Sequence, residues 1–258
     1  MPVSLAENIS VVYQGQGSRE YLQDLANRLA VGFTESHDNL TRLPTEFGLT
    51  WRQNCLYLID KETFYNGGLF VDIGHRPGEQ LSWPTAKTGA FAQALGRKTQ
   101  TVIDATAGWG QDSLAMFRMG YKVYSIERSA IMSALLQDGF NRLQGQEWVQ
   151  RLQLSVPQLL VGNAACLMKD LSFSPDCIYL DPMFPSKRKK SALPKKAMVA
   201  LRTLVGDDND KDILFAEALK LTGKRVVVKC PDYAEPLGGK PNASFIGKLV
   251  RYDVYFNN

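Results

Sequence analysis

A chain of 258 residues, 45% apolar and 22% charged, has the make-up of a folded globular protein, with room for one large domain or a core domain with a smaller partner. No apolar run reaches membrane-spanning length, and Met1-Pro2-Val3-Ser4 lacks the basic start and apolar core of a signal peptide, so a cytoplasmic protein with no membrane partner is expected. The net charge of +4 is mildly basic, Cys55, Cys166, Cys177 and Cys230 form no CxxC pair, and the only histidines are His37 and His75, which argues against a metal site or a His-based triad.

Up to about Thr85 the pattern is that of a small α+β region. Residues 9–13 read as a strand, and Tyr21, Leu22, Leu25, Ala26 and Leu29 share one helical face. Residues 49–51 and 55–59 read as strands of a hairpin, and Leu69, Val71 and Ile73 alternate with Phe70 and Asp72 around another strand. Residues 74–79 read as a turn. From about Ala86 helices and strands alternate: a helix at 86–95, a strand at 101–104, a helix at 112–119, a strand at 122–126 and a helix at 129–143. A strand at 152–154 or 159–161 follows, then a strand at 177–180, helices within 198–204 and 213–221, a strand at 225–229 and a last strand at 249–256. This rhythm predicts an α/β fold with a parallel sheet covered on both faces. The last strand lacks a clear crossover helix and is expected to pair antiparallel, at an edge or next to it. The expected division is 1–85 for the α+β region and 86–258 for the α/β domain.

Chemistry concentrates at the predicted strand ends. After the run 101–104, the stretch Asp104-Ala105-Thr106-Ala107-Gly108-Trp109-Gly110-Gln111-Asp112 is a small-residue turn entering a helix. Gly108 and Gly110 permit positive φ and close approach of a ligand, and the helix start offers N–H groups to a carboxylate. A dinucleotide fingerprint would carry a third glycine where Ser113 stands, and no catalytic His or Tyr-Lys pair is evident, so an NAD-dependent oxidoreductase is disfavoured. Glu127 ends the next strand, about twenty residues past Gly108, where an acid accepts hydrogen bonds from both ribose hydroxyls. Arg128 beside it packs over an adenine or pairs with Glu127. Gly162-Asn163-Ala164-Ala165 is either a plain turn or a polar group beside space for an adenine ring.

Asp181-Pro182-Met183-Phe184 follows the strand at 177–180 and has the form acid-Pro-x-aromatic. An exocyclic base amine is a poor nucleophile because its lone pair spreads into the ring. Hydrogen bonds to Asp181 and the Pro182 carbonyl would orient it and help it become tetrahedral, while Phe184 stacks on the base. These strand ends together suggest an enzyme that holds S-adenosylmethionine and methylates an amine. The basic run Lys187, Arg188, Lys189, Lys190, Lys195 and Lys196 directly follows and is either a solvated loop or a phosphate contact. Lys229 and Tyr233, in Lys229-Cys230-Pro231-Asp232-Tyr233, border the substrate site or terminate a strand.

With the stretch 104–112, Leu135-Leu136-Gln137-Asp138-Gly139, Tyr179–Pro185, Ser191-Ala192-Leu193 with Lys195-Lys196, Leu204-Val205-Gly206 and Arg225–Tyr233, the chain resembles the ribosomal RNA small subunit methyltransferase J family. The matches run in order over about 60% of the chain. The resemblance implies a class I SAM-dependent methyltransferase, Rossmann-like, acting on the N2 amine of a guanine in small-subunit (16S) ribosomal RNA, free or in the 30S subunit. It places cofactor contacts at Gln111, Asp112, Glu127, Arg128, Ala164, Ala165 and Asp181. The family usually has Arg where Gln111 stands and serines near Ala164 and Ala165, and its basic, glycine-rich stretch before the core is poorly matched at 80–89. Two alternatives stay open: a methyltransferase for another amine, in DNA or protein, and a non-catalytic RNA-binding protein with a vestigial cofactor pocket.

Overall fold

The computed structural model describes residues 8–35, 43–74, 83–182, 184 and 210–257. Its first four strands, β1 (Ile9–Tyr13), β2 (Gly32–Glu35), β3 (Phe47–Arg52) and β4 (Cys55–Asp60), form a sheet in the order β2-β1-β3-β4. Helix α1 (Arg19–Leu29) starts at Ser18, whose hydroxyl accepts the Tyr21 N–H, and ends where Ala30 turns left-handed. The β3–β4 hairpin turns on Gln53 and Asn54, with φ of 48° and 61°, the paired positive φ that matches strand twist. The alternation at 69–73 does not produce a strand. Leu69 makes one isolated bridge to Leu58, and Val71 and Ile73 are buried by packing without a ladder. Strand β2, short and half exposed, leaves no apolar alternation to read in the sequence.

The second sheet contains β5 (Thr101–Asp104), β6 (Lys122–Glu127), β7 (Gln158–Val161), β8 (Cys177–Leu180), β9 (Arg225–Pro231), β10 (Ala243–Ile246) and β11 (Val250–Phe256). Its order is β10-β11-β9-β8-β5-β6-β7; β5 to β9 run parallel, and β11 and β10 antiparallel. The last strand therefore lies next to the edge, and β10, which no sequence signal marked, forms the edge itself. The helices of this part are α2 (Gly89–Leu95), α3 (Gln111–Arg118), α4 (Ala130–Gln144), α5 (Glu147–Arg151), α6 (Ala164–Leu167) and α7 (Lys211–Leu221). The ambiguity at 152–161 resolves toward β7, because α5 runs to Arg151 and Gln153 turns left-handed after it. The helix expected within 198–204 lies outside the described residues.

Period-two burial divides the sheet's side chains between two cores. Val102, Val123, Tyr179 and Val227 face one layer with α3 and α4, while Ile103, Ile126, Ile178, Leu180, Val226 and Val228 face another with α6 and α7. The first core continues into the N-terminal sheet through Ile9, Leu49 and Leu56. Asp138 of α4 fastens that junction: its Oδ2 accepts the Leu56 N–H at 3.2 Å and Arg142 Nε at 2.9 Å. Gly139 lets Val71 approach, since a Cβ there would lie 2.4 Å from Val71 Cγ1. Among the described residues, no helix is long and apolar enough to cross a membrane.

Candidate active site

In an open parallel sheet ligands lie outside the carboxyl ends of the strands, where the strand order reverses. Here that point falls between β5 and β8, and a cleft of about 630 Å3, open mouth included, opens there. Thr106, Gly108, Glu127, Ala164, Asp181 and Asp210 are among the residues that line it.

The turn after β5 is stitched to both neighbours. Ala105 N–H donates to Tyr179 O at 3.0 Å, and Ala107 N–H to Ile126 O at 3.1 Å. Asp104 is turned inward: its Oδ1 accepts the Thr106 N–H, and its Oδ2 accepts the Ser113 hydroxyl at 2.5 Å, with Ser125 beyond at 2.8 Å. Burial pushes the Asp104 carboxyl up to about 7, against the lowering effect of those hydrogen bonds. Ser113, which replaces the third glycine of a dinucleotide turn, thus ties α3 to β5 and β6. Gly110 caps α3 at φ 73°, and a Cβ there would lie 2.6 Å from Leu136 Cδ2.

Glu127 ends β6 and is 5% exposed. Its Oε2 accepts the Gly108 N–H at 3.0 Å and its Oε1 the Ser129 N–H at 2.7 Å. These donors fix the carboxylate at the cleft wall, where it can accept further hydrogen bonds. Beside it, Arg128 Nη1 donates to Asp210 Oδ1 at 3.2 Å, and Asn163 Nδ2 donates to Asp210 Oδ2 at 3.3 Å. Asn163 Oδ1 accepts the Cys166 N–H and so caps α6.

Asp181 follows β8. Its N–H donates to Thr106 Oγ1 at 2.7 Å, and its Oδ2 accepts Lys229 Nζ at 2.8 Å. The same ammonium donates to Asp112 Oδ2 at 2.8 Å, which also accepts the Tyr179 hydroxyl at 2.7 Å. The Phe184 ring turns to a neighbouring hollow that includes Tyr233, with Lys211 Nζ 5.3 Å from its centroid.

Residues 36–257 match the family described as "Putative SAM-dependent methyltransferase". Ribosomal RNA small subunit methyltransferase J of Tolumonas auensis is 37% identical over 256 residues, 96% of this chain and 97% of that protein. The chain belongs to the ribosomal RNA small subunit methyltransferase J family. The Shewanella amazonensis member is 40% identical over 219 residues, 81% of this chain and 86% of its own length. The crystal structure of a SAM-dependent methyltransferase from Neisseria gonorrhoeae superposes with a TM-score of 0.67 at 25% identity, covering 95% of each chain. The chain is thus a SAM-dependent methyltransferase with a class I, Rossmann-like core, and S-adenosylmethionine is its cofactor.

The positions carried over from the methyltransferase J family fall unevenly on the geometry. Glu127, Arg128, Ala164, Ala165 and Asp181 line one cleft, as do Gly108, Asn163 and Pro182. Gln111 is exposed at the start of α3 and, with Asp112, stands outside that lining. Asp104 does not face the cleft either; it braces the turn from beneath. Asn163, expected either in a plain turn or as a polar group beside an adenine, has its side-chain oxygen on α6 and its amide on Asp210. Lys229, expected to contact RNA at the border of the substrate site, sits mostly buried between two carboxylates. Lys187, Arg188, Lys189, Lys190, Lys195 and Lys196 lie outside the described residues, as do Met183 and Pro185. Sequence reasoning missed Thr106, Tyr179 and Asp210. Thr106 and Tyr179 sat within quoted motifs, but Asp210 had no signal beyond being an acid before a helix. Among the described residues, no group of three or more His, Cys, Asp and Glu could hold a metal ion.

Proposed function

We propose that this methyltransferase transfers a methyl group from S-adenosylmethionine to the exocyclic N2 amine of a guanine in small-subunit ribosomal RNA, in the cytoplasm, on 16S RNA free or within the 30S subunit. The observation that carries the reading is the position of Asp181: it shares one cleft with Glu127 and is held at its N–H by Thr106 and at its carboxylate by Lys229. The relatives, ribosomal RNA small subunit methyltransferases by name, supply the RNA.

The cleft fits the cofactor chemically, because a buried carboxylate on Gly108 stands beside the apolar wall of Ile126, Ala164 and Ala165. In this reading Glu127 accepts the ribose hydroxyls, Arg128 and the two alanines border the adenine, and the turn at Gly108 with Gln111 and Asp112 holds the amino-acid end. S-adenosylmethionine supplies an electrophilic sulfonium methyl when bound. The chain's own task is to present the amine. Asp181 and the Pro182 carbonyl accept its two N–H groups, so the lone pair is held in one direction and the nitrogen is helped toward tetrahedral geometry. Little base strength is needed, since the product ammonium loses its proton readily. Phe184 stacks on the base, and the basic run at 187–196 grips phosphate. Residues 86–258 form the catalytic unit in this reading, and residues 1–85 an accessory region.

The test is labelled methyl transfer to small subunits and to naked 16S RNA lacking the modification, with DNA and protein as parallel acceptors and the product nucleotide mapped. Incorporation as N2-methylguanine supports the proposal. Binding of cofactor without transfer to RNA would sink it.

A further inference from the structure

Resting on the methyltransferase reading, we propose that Lys229 is a positioning residue: its ammonium, shared between Asp112 and Asp181, holds the Asp181 carboxylate in the ionised, amine-accepting orientation and ties it to the start of α3.

Strand register brings the three groups together. Leu180 pairs with Val228 in the parallel β8–β9 ladder, so Asp181 and Lys229, one step on, stand side by side. Both continue the face that Tyr179 and Val227 occupy. Tyr252, the antiparallel partner of Lys229, stacks on Phe91 at 5.3 Å, and Phe91 packs edge-on to Tyr179 at 5.4 Å. The lysine stem therefore rises through an aromatic wall and delivers its charge between the two acids. A lysine serving RNA phosphate would keep its head in solvent, whereas this side chain is 23% exposed and donates 2.8 Å bonds to both Asp112 and Asp181.

The electrostatics agree. Burial works against the ammonium, but the carboxylates of Asp181 and Asp112 outweigh it and hold Lys229 protonated well above the ordinary lysine range. That attraction is reciprocal, so the ammonium 2.8 Å from Asp181 Oδ2 favours a charged carboxylate there. Among the described residues, the titratable groups that face Asp181 include Lys229 and Cys230 on β9, Asp112 on α3, Asp104 at the end of β5, Tyr179 on β8 and Tyr252 on β11. Among these groups of the described residues Lys229 carries the positive charge, and its loss removes that charge from beside Asp181. Asp112 is doubly held, by Tyr179 and Lys229, and transmits the position of α3 to Asp181.

The experiment compares wild type, Lys229→Met and Lys229→Arg. Steady-state methyl transfer to unmodified small subunits is measured across pH, together with the salt dependence of RNA binding. Carbon-13 NMR of aspartate-labelled protein, with Asp181 assigned through Asp181→Asn, follows the carboxyl directly. Lys229→Met is expected to lower kcat by about tenfold or more with the RNA KM within about threefold. It should also move the acidic limb of the rate profile and the Asp181 titration to higher pH, and Lys229→Arg should recover part of the loss. The salt slope of RNA binding should not change. Wild-type kcat in Lys229→Met, an unmoved Asp181 titration, or a raised KM with a salt slope smaller by about 1 would overturn the proposal; the last would mark a phosphate contact. If Lys229→Met does not fold, Lys229→Met with Asp112→Asn removes one charge of each sign and is read by the same Asp181 titration. The NMR titration needs no RNA, so failure of the RNA assignment and failure of the Lys229 role are separately visible.

Discussion

Gly108 donates its backbone N–H to Glu127 Oε2 at 3.0 Å, across nineteen residues of chain. This bond joins the turn after β5 to the end of β6, so the backbone proposed to approach the cofactor and the acid proposed for its ribose are set by one contact. Ser129 N–H, on Glu127 Oε1, completes the clamp.

Glu127→Gln places an amide NH2 against one of those two N–H donors. The variant is expected to bind S-adenosylmethionine at least about tenfold more weakly, the loss of a charge-assisted hydrogen bond being ~1–3 kcal/mol. Calorimetric titration of cofactor measures this; an unchanged Kd would remove Glu127 from the ribose site.

Asp181→Ala removes the acceptor assigned to the amine and leaves Glu127 and Gly108 in place. Methyl transfer should fall by about 100-fold or more while much of the cofactor affinity remains, because the interaction lost acts on orientation. Single-turnover transfer beside cofactor titration separates the two effects. Normal turnover by this variant would end the proposed mechanism.

Asp104 makes stability depend on pH. Burial holds its carboxyl up at about 7 in the folded protein, against an ordinary aspartate value of 3.8. Between those values the folded state binds the proton that the unfolded state has released, so this group's contribution falls as pH rises from about 4 through about 7 and is flat above. At 1.36 kcal/mol per unit the span is as much as ~4 kcal/mol. Asp104→Asn should flatten the difference in urea-unfolding free energy between pH 5 and pH 8. A slope equal to that of wild type would contradict the assignment.

Asp138→Ala cuts the fastening between the two sheets. It strips the acceptor from the Leu56 N–H and leaves Arg142 without its carboxylate, a change worth ~3 kcal/mol at a buried site. Thermal unfolding should show a lower Tm. If cofactor affinity stays close to wild type, the fastening is structural and not part of the site.

The strands at 101–104 and 177–180, and the acids that end or follow them, are legible because each is a property of a short window, an apolar run and then an acid; that Asp104 turns inward while Asp181 lines the cleft is not. The acid-Pro-x-aromatic motif and the small-residue turn carry their chemistry in the same local way. Alternation at 69–73 misleads for the same reason, since it records which side chains are buried and not whether the backbone joins a ladder; Leu69 finds one bridge, and the Val71 carbonyl takes Arg142 Nη2 instead of a strand. The half-exposed edge strand β10 is silent because solvent, and not a core, faces much of it.

Periodicity and motif order by themselves determined an α/β core, the small-residue turn after β5 and the acid that follows β8, and the motifs' resemblance to a known family added the methyltransferase. The tertiary structure alone decided that Asp104 and Ser113 brace the turn from within, that Asp210 joins Arg128 to Asn163, and that the Lys229 ammonium meets Asp181, 48 residues away. Each of those pairings depends on register between strands or on where a helix begins after a long connection. Sequence spacing does not encode such distances, because they exist only once the sheet has closed its hydrogen bonds.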